Sequence, residues 1–295
     1  MSFKLFIYYC ALLGGWAAFL SWGFAQGLGI RRLDSAYLRA ALIAAVLGFL
    51  VAGAVGFADA LLNAKGSQRW MRLAICLGVG LVGGSFGGLV GQVLNSMMHA
   101  PLVFGWILVG ICIGASVGVF DVVRAVKKAE ELHLPFKKTL NGCIGGCIGG
   151  LLGGLLFGFM FPNDKIPRTD LAIGLVVLGL CIGLMIGLAQ VFLKEAWLKV
   201  TRGFRVGREL MLSKNETTIG RAESCDLGLF GDNTIERTHA RILLKDNRYL
   251  LADADTPGGT FLNEQRIGAP TPLKSGDVIR VGNSVLEFGE RQKRT

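Results

Sequence analysis

The sequence predicts a two-part α+β protein, in which a polytopic α-helical membrane bundle is followed by an all-β sandwich. Three observations lead to this division. Hydrophobic residues make up 52% of the 295 residues, and 43 residues are glycine. The charged residues are concentrated in loops and in the last third of the chain, where short strands and tight turns replace the long apolar runs from about residue 204. We therefore predict a six-helix transmembrane domain at 1–193, a basic juxtamembrane linker at 194–208 and a β domain at 209–292.

Six apolar runs are long enough to span a membrane. Residues 73–91 contain no Asp, Glu, Lys or Arg, and about 19 helical residues at about 1.5 Å each nearly match a hydrocarbon core of about 30 Å. The N-terminal run is too long for a signal-peptide core and lacks an A-x-A cleavage site, so we interpret it as a retained helix. The predicted spans lie near 5–28, 38–58, 73–91, 101–120, 139–161 and 170–193.

The third span contains the stretch LGVGLVGGSFGG at 77–88, which matches two enzyme motifs. A G-x-G-x-x-G dinucleotide turn needs a solvated loop between a strand and a helix, and an apolar span offers none. A G-x-S-x-G elbow at Ser85 would need a histidine nearby, and the three histidines lie outside the predicted spans. We interpret Ser85 as a small packing residue and expect neither an enzyme activity nor a cofactor.

The glycines recur at helical spacing. In the fifth span they follow one another every four residues and therefore share one helical face. Close backbone approach, which small residues permit, is the main source of helix association in lipid. We predict packing faces of the glycine-zipper type, which would also allow a homo-oligomer. The glycines of the fifth span are Gly142, Gly146, Gly150, Gly154 and Gly158.

Glycine pairs in the odd-numbered spans suggest an internal repeat. The pairs Gly14–Gly15, Gly83–Gly84 and Gly149–Gly150 are separated by about 69 and then about 66 residues. This spacing predicts three copies of one helical hairpin.

The even-numbered spans end on similar polar residues. Asp59, Asp121 and Gln190 follow the matching stretches GFA, GVF and GLA, so we expect them at one membrane edge. One interpretation is a polar ring that lines a solute or ion path. The interpretation that we favour is interfacial capping, in which basic residues farther along the chain pair with them at the headgroup level. Those basic residues are Lys65, Arg124, Lys127, Lys128 and Lys194.

Loop charges predict the orientation. The loops after the second and fourth spans carry eight Lys and Arg residues, and the opposite loops carry five. By the positive-inside rule both termini face the cytoplasm, and we expect a multipass protein of a bacterial cytoplasmic membrane. The net charge of +10 lies largely beside the spans, so anionic membrane lipid is the expected partner and nucleic acid is not. Six of the seven cysteines lie in the spans, and Cys143 and Cys147 share a helical face without a histidine or carboxylate nearby, so we predict no metal site.

The last third reads as paired strands. ARILLK and RYLLAD flank Asp246–Asn247, and VIRV and SVLEF flank Gly282–Asn283. Both patterns predict hairpins with two-residue loops. About 90 residues of such strands can form a small β-sandwich.

Residues 218–286 resemble a forkhead-associated (FHA) domain. The matching pieces are Gly220–Arg221, His239–Ala240, Gly259–Thr260, Asn263 and Gly276–Asp277. The resemblance implies an eleven-stranded sandwich that binds phosphothreonine peptides through loops at one end. It also implies that Arg221 contacts the phosphate and that His239 and Asn263 hold the binding loops. The expected partner-binding residues are Arg221, Glu236, Arg237, His239, Gly258, Thr260 and Asn263.

Two positions depart from the family pattern. Glu236 stands where the family usually has a phosphate-holding serine, and Gly258 stands where an asparagine contacts the peptide. If Glu236 points into the pocket, two like charges about 4 Å apart repel by about 4 kcal/mol at an effective dielectric near 20. Alternatively, Glu236 neutralises Arg221. We predict weak or absent phosphothreonine binding in a module that still binds protein.

Our first hypothesis is a membrane-anchored cytoplasmic FHA module that recruits a protein partner in signalling. The alternative is a transporter or channel that its FHA domain regulates. A third hypothesis is a purely structural membrane scaffold.

Overall fold

The computed structural model describes residues 2–63, 68–99, 101–128, 132–160, 168–204, 206–212, 214–245 and 248–291. The chain divides into two compact units. A helical unit comprises Lys4–Leu61 and Arg69–Leu193, and most of the second unit is a β-sandwich that begins at Lys194. The predicted helical part followed by a β-sandwich is confirmed.

In the part of the chain that the structure describes, six helices form the first unit, and all six are long and apolar enough to cross a membrane. All but α4 begin before the predicted spans, and the differences are largest for α3, by five residues, and for α5, by six. Hydropathy detects only the apolar part of a helix, whereas Arg and Lys are good helix formers and extend both helices beyond it. The helices are α1 (Phe3–Gly27), α2 (Ala36–Asn63), α3 (Gln68–Met98), α4 (Val103–Lys128), α5 (His133–Met160) and α6 (Arg168–Phe192).

Neighbouring helices approach each other closely at several glycines. A Cβ atom added at Gly48 would collide with a backbone carbonyl of the facing helix, and the same holds at Gly14 and Gly110. No such contact exists at Gly158, where a Cβ would have nothing within 4 Å among the described residues. The helix backbones therefore contact each other closely at particular glycines. The hairpin repeat and the homo-oligomer stay predictions. The contact pairs are Gly14 with Gly179, Gly48 with Gly80, and Gly110 with Gly146.

Among the described residues, eleven strands form the two sheets of the β-sandwich. The six-stranded sheet has the order β2-β1-β11-β10-β7-β8, and the five-stranded sheet has the order β4-β3-β5-β6-β9. Side chains from both sheets form one apolar core, which includes Leu198, Ile219, Leu251 and Phe288. The strands are β1 (Ala196–Arg202), β2 (Glu209–Met211), β3 (Glu216–Gly220), β4 (Leu227–Gly228), β5 (Ala240–Lys245), β6 (Arg248–Asp253), β7 (Thr260–Leu262), β8 (Gln265–Arg266), β9 (Thr271–Pro272), β10 (Val278–Val281) and β11 (Ser284–Glu290).

The predicted linker at 194–208 is wrong for its first half, because residues 196–202 form β1. This strand pairs antiparallel with β11 along its length and with β2 on its other edge. Its residues alternate between the two faces, and Ala196, Leu198 and Val200 are buried in the core. The basic residues that suggested a linker, Lys199 and Arg202, lie on the exposed face of the strand.

One of the two predicted hairpins is described completely. Val281 pairs with Ser284, and Gly282 has a φ of +56°, the left-handed conformation that a tight hairpin turn requires. In the other hairpin Lys245 pairs with Arg248. Its expected turn at Asp246–Asn247 lies outside the described residues.

Candidate functional site

His239 joins two loops of the β-sandwich from the inside. Its side chain is fully buried, and its Nδ1 accepts a hydrogen bond from the backbone N–H of Glu236 at 3.1 Å. Since Nδ1 is the acceptor, the neutral ring carries its proton on Nε2, which donates to the carbonyl oxygen of Gly259 at 3.1 Å. His239 therefore fixes the loop before β5 against the loop before β7, which agrees with the supporting role that the resemblance implied.

Thr260 was expected to contact a partner, and the structure shows that this expectation is wrong. Its side chain is fully buried and donates to the Asp253 carboxylate at 2.5 Å, so it does not reach the surface. The same carboxylate accepts from the backbone N–H and the hydroxyl of Thr256, both at 3.0 Å. Burial raises the pKa of Asp253, but the hydrogen bonds from Thr260 and Thr256 outweigh it, and the pKa lies below its ordinary value. Thr260 and Asp253 thus hold the loop before β7 from below.

Asp232 holds the other side of the loop before β5. Its carboxylate accepts from the backbone N–H of Thr234 at 3.0 Å and from that of Asn283 at 2.9 Å, which ties this loop to the β10–β11 turn. Burial alone raises the pKa of Asp232, yet the bonds from Thr234 and Asn283 bring it below its ordinary value. The loop is therefore fastened at both ends, by Asp232 and by His239.

Arg221 lies exposed beside this fixed loop. Its backbone N–H donates to the carbonyl of Glu236 at 2.9 Å, and its guanidinium Nη1 donates to Asn233 Oδ1 at 3.1 Å. The approach is close, because a Cβ atom at Gly220 would collide with the backbone of Arg237. The structure thus brings Arg221, Glu236 and Arg237 to one exposed edge.

The carboxylate of Glu236 is exposed on the same edge. The described residues contain no ion pair between Glu236 and Arg221, whose guanidinium bonds to Asn233 instead. The second alternative was that Glu236 neutralises Arg221. The two side chains do not form this ion pair in the chain without a bound partner.

Gly258 is exposed and has room for a larger residue. A Cβ atom there would lie 3.6 Å from the His239 ring and 3.6 Å from the Thr234 carbonyl oxygen, which is ordinary van der Waals distance. The family's asparagine is therefore sterically acceptable at this position. The glycine leaves the loop unchanged, but it lacks a side chain that could bind a peptide.

Arg266 also lies at this edge, although it is not among the predicted binding residues. Its Nη2 donates to the Pro257 carbonyl at 3.5 Å, and its guanidinium lies against Gly259. In the sequence it is an ordinary exposed strand arginine. Only the three-dimensional pairing of β7 with β8 brings it beside the loop before β7.

Asn263 braces a different turn. Its Nδ2 donates to Asp277 at 2.9 Å and its Oδ1 accepts from the backbone N–H of Val278 at 2.9 Å. It connects the β7–β8 turn, where its own φ is +49°, to the start of β10. This geometry suits the loop-supporting role that the resemblance implied.

A second polar cluster lies inside the helical unit. Asp59 and Asp121 are buried together with Arg72 and Lys138, which come from α3 and α5. Arg72 bonds to both carboxylates, at 2.7 Å for Asp59, and Lys138 bonds to them at 2.8 and 3.1 Å. Gln190 donates to the Lys138 carbonyl at 3.0 Å, so all three predicted polar positions meet at this cluster.

The favoured capping interpretation of these residues is wrong. Asp59, Asp121 and Gln190 are at most 5% exposed, and the observed cationic partners are Arg72 and Lys138. Arg72 lies one turn inside α3 and Lys138 lies one turn inside α5, and both side chains point back between the helices. Their positions along the chain do not reveal these contacts. We call these residues the charge cluster: Asp59, Arg72, Asp121, Lys138 and Gln190.

Comparison with known proteins places residues 217–282 in the FHA domain family, which confirms the predicted resemblance. The N-terminal part matches no family. FHA domain-containing protein FhaB of Mycobacterium tuberculosis is 28% identical over 106 residues, which cover 36% of this chain and 68% of FhaB. The glycogen accumulation regulator GarA of the same species is 31% identical over 94 residues, which cover 32% of this chain and 57% of GarA.

A curated inhibitor and a solved FHA domain are also similar to the last third of the chain. The oxoglutarate dehydrogenase inhibitor of Corynebacterium glutamicum is 31% identical over 94 residues, 32% of this chain and 64% of that protein. The chain thus spans less than two thirds of this inhibitor and of GarA. A solved FHA domain, studied for phosphothreonine-dependent interactions, is 28% identical, covers 34% of this chain and 100% of its own, and has a TM-score of 0.31.

Proposed function

We propose that the FHA domain at residues 217–282 recruits a protein partner to a membrane in which six helices anchor the chain. The observation that carries the proposal is the arrangement around His239. This buried ring fixes two loops, and the exposed side chain of Arg221 lies beside them. Loops that are already ordered lose little entropy when a partner binds, so the edge is suited to recognition.

The exposed edge is rich in arginine. Arg221, Arg237 and Arg266 are exposed around the two loops, and an arginine fork matches the geometry of a phosphate. The exposed carboxylate of Glu236 opposes a second negative charge at the same edge, and Gly258 offers no side-chain amide. These features support a protein partner to which a phosphothreonine contributes only weakly.

Affinity purification after crosslinking in cells tests the recruitment. Arg221→Ala removes the central guanidinium of the edge, and we expect it to reduce recovery of the partner about tenfold. Arg248→Ala is the matched control, because Arg248 is exposed at the far end of the β5–β6 hairpin. Six strand residues at about 3.3 Å each place it roughly 20 Å from His239. Equal recovery with both variants would rule out this edge as the binding surface.

Membrane anchoring and orientation are tested separately. The chain should resist alkaline extraction from membranes, because six helices are apolar enough to span them. A reporter that is active only outside the cytoplasm, fused after Thr295, should be silent. Strong reporter activity would reverse the proposed orientation, and extraction at alkaline pH would refute the anchoring.

One observation favours a transporter or channel as the second candidate. The helical unit contains a cavity of about 540 Å³ between five helices, in addition to the buried charges. A flux assay in proteoliposomes distinguishes the two functions. Flux that depends on Asp59 and Asp121 would favour transport, and its absence would favour the anchor.

A further inference from the structure

The cavity of the helical unit lies at the end opposite the charge cluster. It is lined near the start of α2 by Arg39, whereas Asp59 is 20 residues farther along the same helix. At about 1.5 Å per residue this separation is roughly 30 Å. Residues of α2, α3, α4, α5 and α6 contribute to the wall, so the cavity lies between five helices.

The wall is positively charged. Arg31 and Arg39 are the two charged residues among its described lining, and both are half-buried. Gln92 adds an amide to the same wall, and no described lining residue is acidic. A cavity with two cations and no carboxylate favours an anion.

Arg31 has an unused donor. Its Nη1 is buried and has no hydrogen-bond partner in the part of the chain that the structure describes. Arg39 differs, because its Nη1 donates to the Leu33 carbonyl at 3.2 Å. A buried donor without a partner is unfavourable, and a bound anion would satisfy it.

The rest of the wall is apolar. Trp106, Phe157, Leu171 and Leu175 line it together with Ile43. An inorganic anion would leave these side chains without contacts, whereas a ligand with an apolar chain would cover them. The volume lies within the roughly 300–1,000 Å³ that ligand sites usually have.

We propose that this cavity binds an anionic lipid, with its phosphate between Arg31 and Arg39 and the adjoining part of its acyl chain against Trp106 and Phe157. The proposal rests on the membrane insertion of the helical unit. It assigns the helices a ligand of their own, in addition to their use as an anchor for the FHA domain.

Calorimetric titration of the full-length protein in a neutral detergent tests the proposal. The probes are soluble dihexanoyl phosphatidylglycerol, dihexanoyl phosphatidylcholine and inorganic phosphate. We expect the phosphatidylglycerol to bind most tightly, and Arg31→Gln to weaken it about tenfold through loss of a charge-assisted hydrogen bond. Arg39→Gln should act in the same direction.

Arg32→Gln is the matched control, because Arg32 is exposed, adjacent in sequence and absent from the cavity wall. It removes the same charge and should leave binding unchanged. Ala36→Trp fills the cavity without changing charge and should reduce binding as well. This variant and Arg39→Gln decide the question if Arg31→Gln does not yield folded protein in size-exclusion chromatography.

Three results would overturn the proposal. The first is equal binding of phosphatidylcholine and phosphatidylglycerol, and the second is an equal effect of Arg31→Gln and Arg32→Gln. The third is binding of inorganic phosphate as tight as that of the lipid, because this result would assign the cavity to a soluble anion. None of these three results would change the outcome of the alkaline extraction or of the partner recovery. Failure of the lipid proposal is therefore distinguishable from failure of the proposed function.

Discussion

Arg72 and Arg221 show two opposite uses of arginine in one chain. Arg72 is 2% exposed and bonds to two buried carboxylates, which also bond to Lys138. Arg221 is exposed, and its guanidinium bonds to the neutral Asn233. A buried arginine whose charge is compensated holds helices together, whereas an exposed arginine beside a neutral partner keeps its charge for a ligand.

The two regions also differ in which side chains are held in place by hydrogen bonds and ion pairs. In the helical unit, the charged side chains themselves are the fixed elements. In the FHA domain, the fixed elements are His239, Asp253 and Asp232, and the arginines of the exposed edge lie outside them. Substitutions in the charge cluster should therefore affect stability, whereas substitutions of the exposed edge arginines should affect binding.

The largest effect is expected for Arg72→Ala. Removing one cation leaves Asp59 and Asp121 with a single compensating charge inside the helical unit, and breaking such a buried network costs about 3–5 kcal/mol. Arg69→Ala is the control, since Arg69 is exposed three residues earlier on the same helix. The measurement is the temperature at which detergent-solubilised protein leaves the monodisperse peak in size-exclusion chromatography. Equal temperatures for the two variants would show that the charge cluster contributes little to stability.

A smaller loss is expected for Gly150→Leu. A Cβ atom at Gly150 would collide with the Trp106 carbonyl, so a leucine must separate α4 from α5, at a cost of about 1–3 kcal/mol or more. Leu151→Ile changes the shape of a neighbouring, 39% exposed side chain and should be mild. The same chromatographic assay measures both variants. If Gly150→Leu is as stable as Leu151→Ile, close packing at this glycine is not required.

Asp253 should make the FHA domain dependent on pH. The folded-state pKa is below the ordinary value of 3.8, so the contribution is complete above about that pH and is lost as the pH falls toward the lowered pKa. Asp253→Asn should lower the free energy of unfolding at neutral pH by about 1–2 kcal/mol, since it removes charge-assisted hydrogen bonds. It should also flatten the dependence below about pH 4.

Urea titrations of residues 194–295 at neutral and acidic pH measure this effect. The fragment begins at 194 because β1 is part of the sandwich. Asp255→Asn is the control, as Asp255 is exposed and asparagine tolerates its φ of +57°. Identical pH dependence in the wild type and in Asp253→Asn would contradict the assigned role.

The architecture could be predicted from the sequence, because apolar runs and strand alternation are local patterns. The FHA domain could be recognised because its matching pieces, such as Gly220–Arg221 and His239–Ala240, are local as well. Asp59, Asp121 and Gln190 could be predicted to lie at one membrane edge, but their cationic partners could not, since Asp59 and Lys138 are 79 residues apart and meet only when the helices pack. Arg266 and the buried position of Thr260 depend on strand pairing in the same way. The start of the β domain was misplaced at 209 because the basic residues of β1 conceal its alternating apolar residues.

Calorimetric titration of phosphothreonine peptides into residues 194–295 tests the central claim, that an exposed Arg221 recognises the partner and that Glu236 limits its phosphate binding. We predict weak binding by the wild type, loss with Arg221→Ala and a gain of about fivefold with Glu236→Ser. Both charges are exposed, so their repulsion is near the value of about 1 kcal/mol expected at 4 Å in water. Unphosphorylated peptides are the control. Micromolar, phosphate-dependent binding by the wild type that Glu236→Ser does not change would show that Glu236 points away, and binding that survives Arg221→Ala would contradict the claim itself.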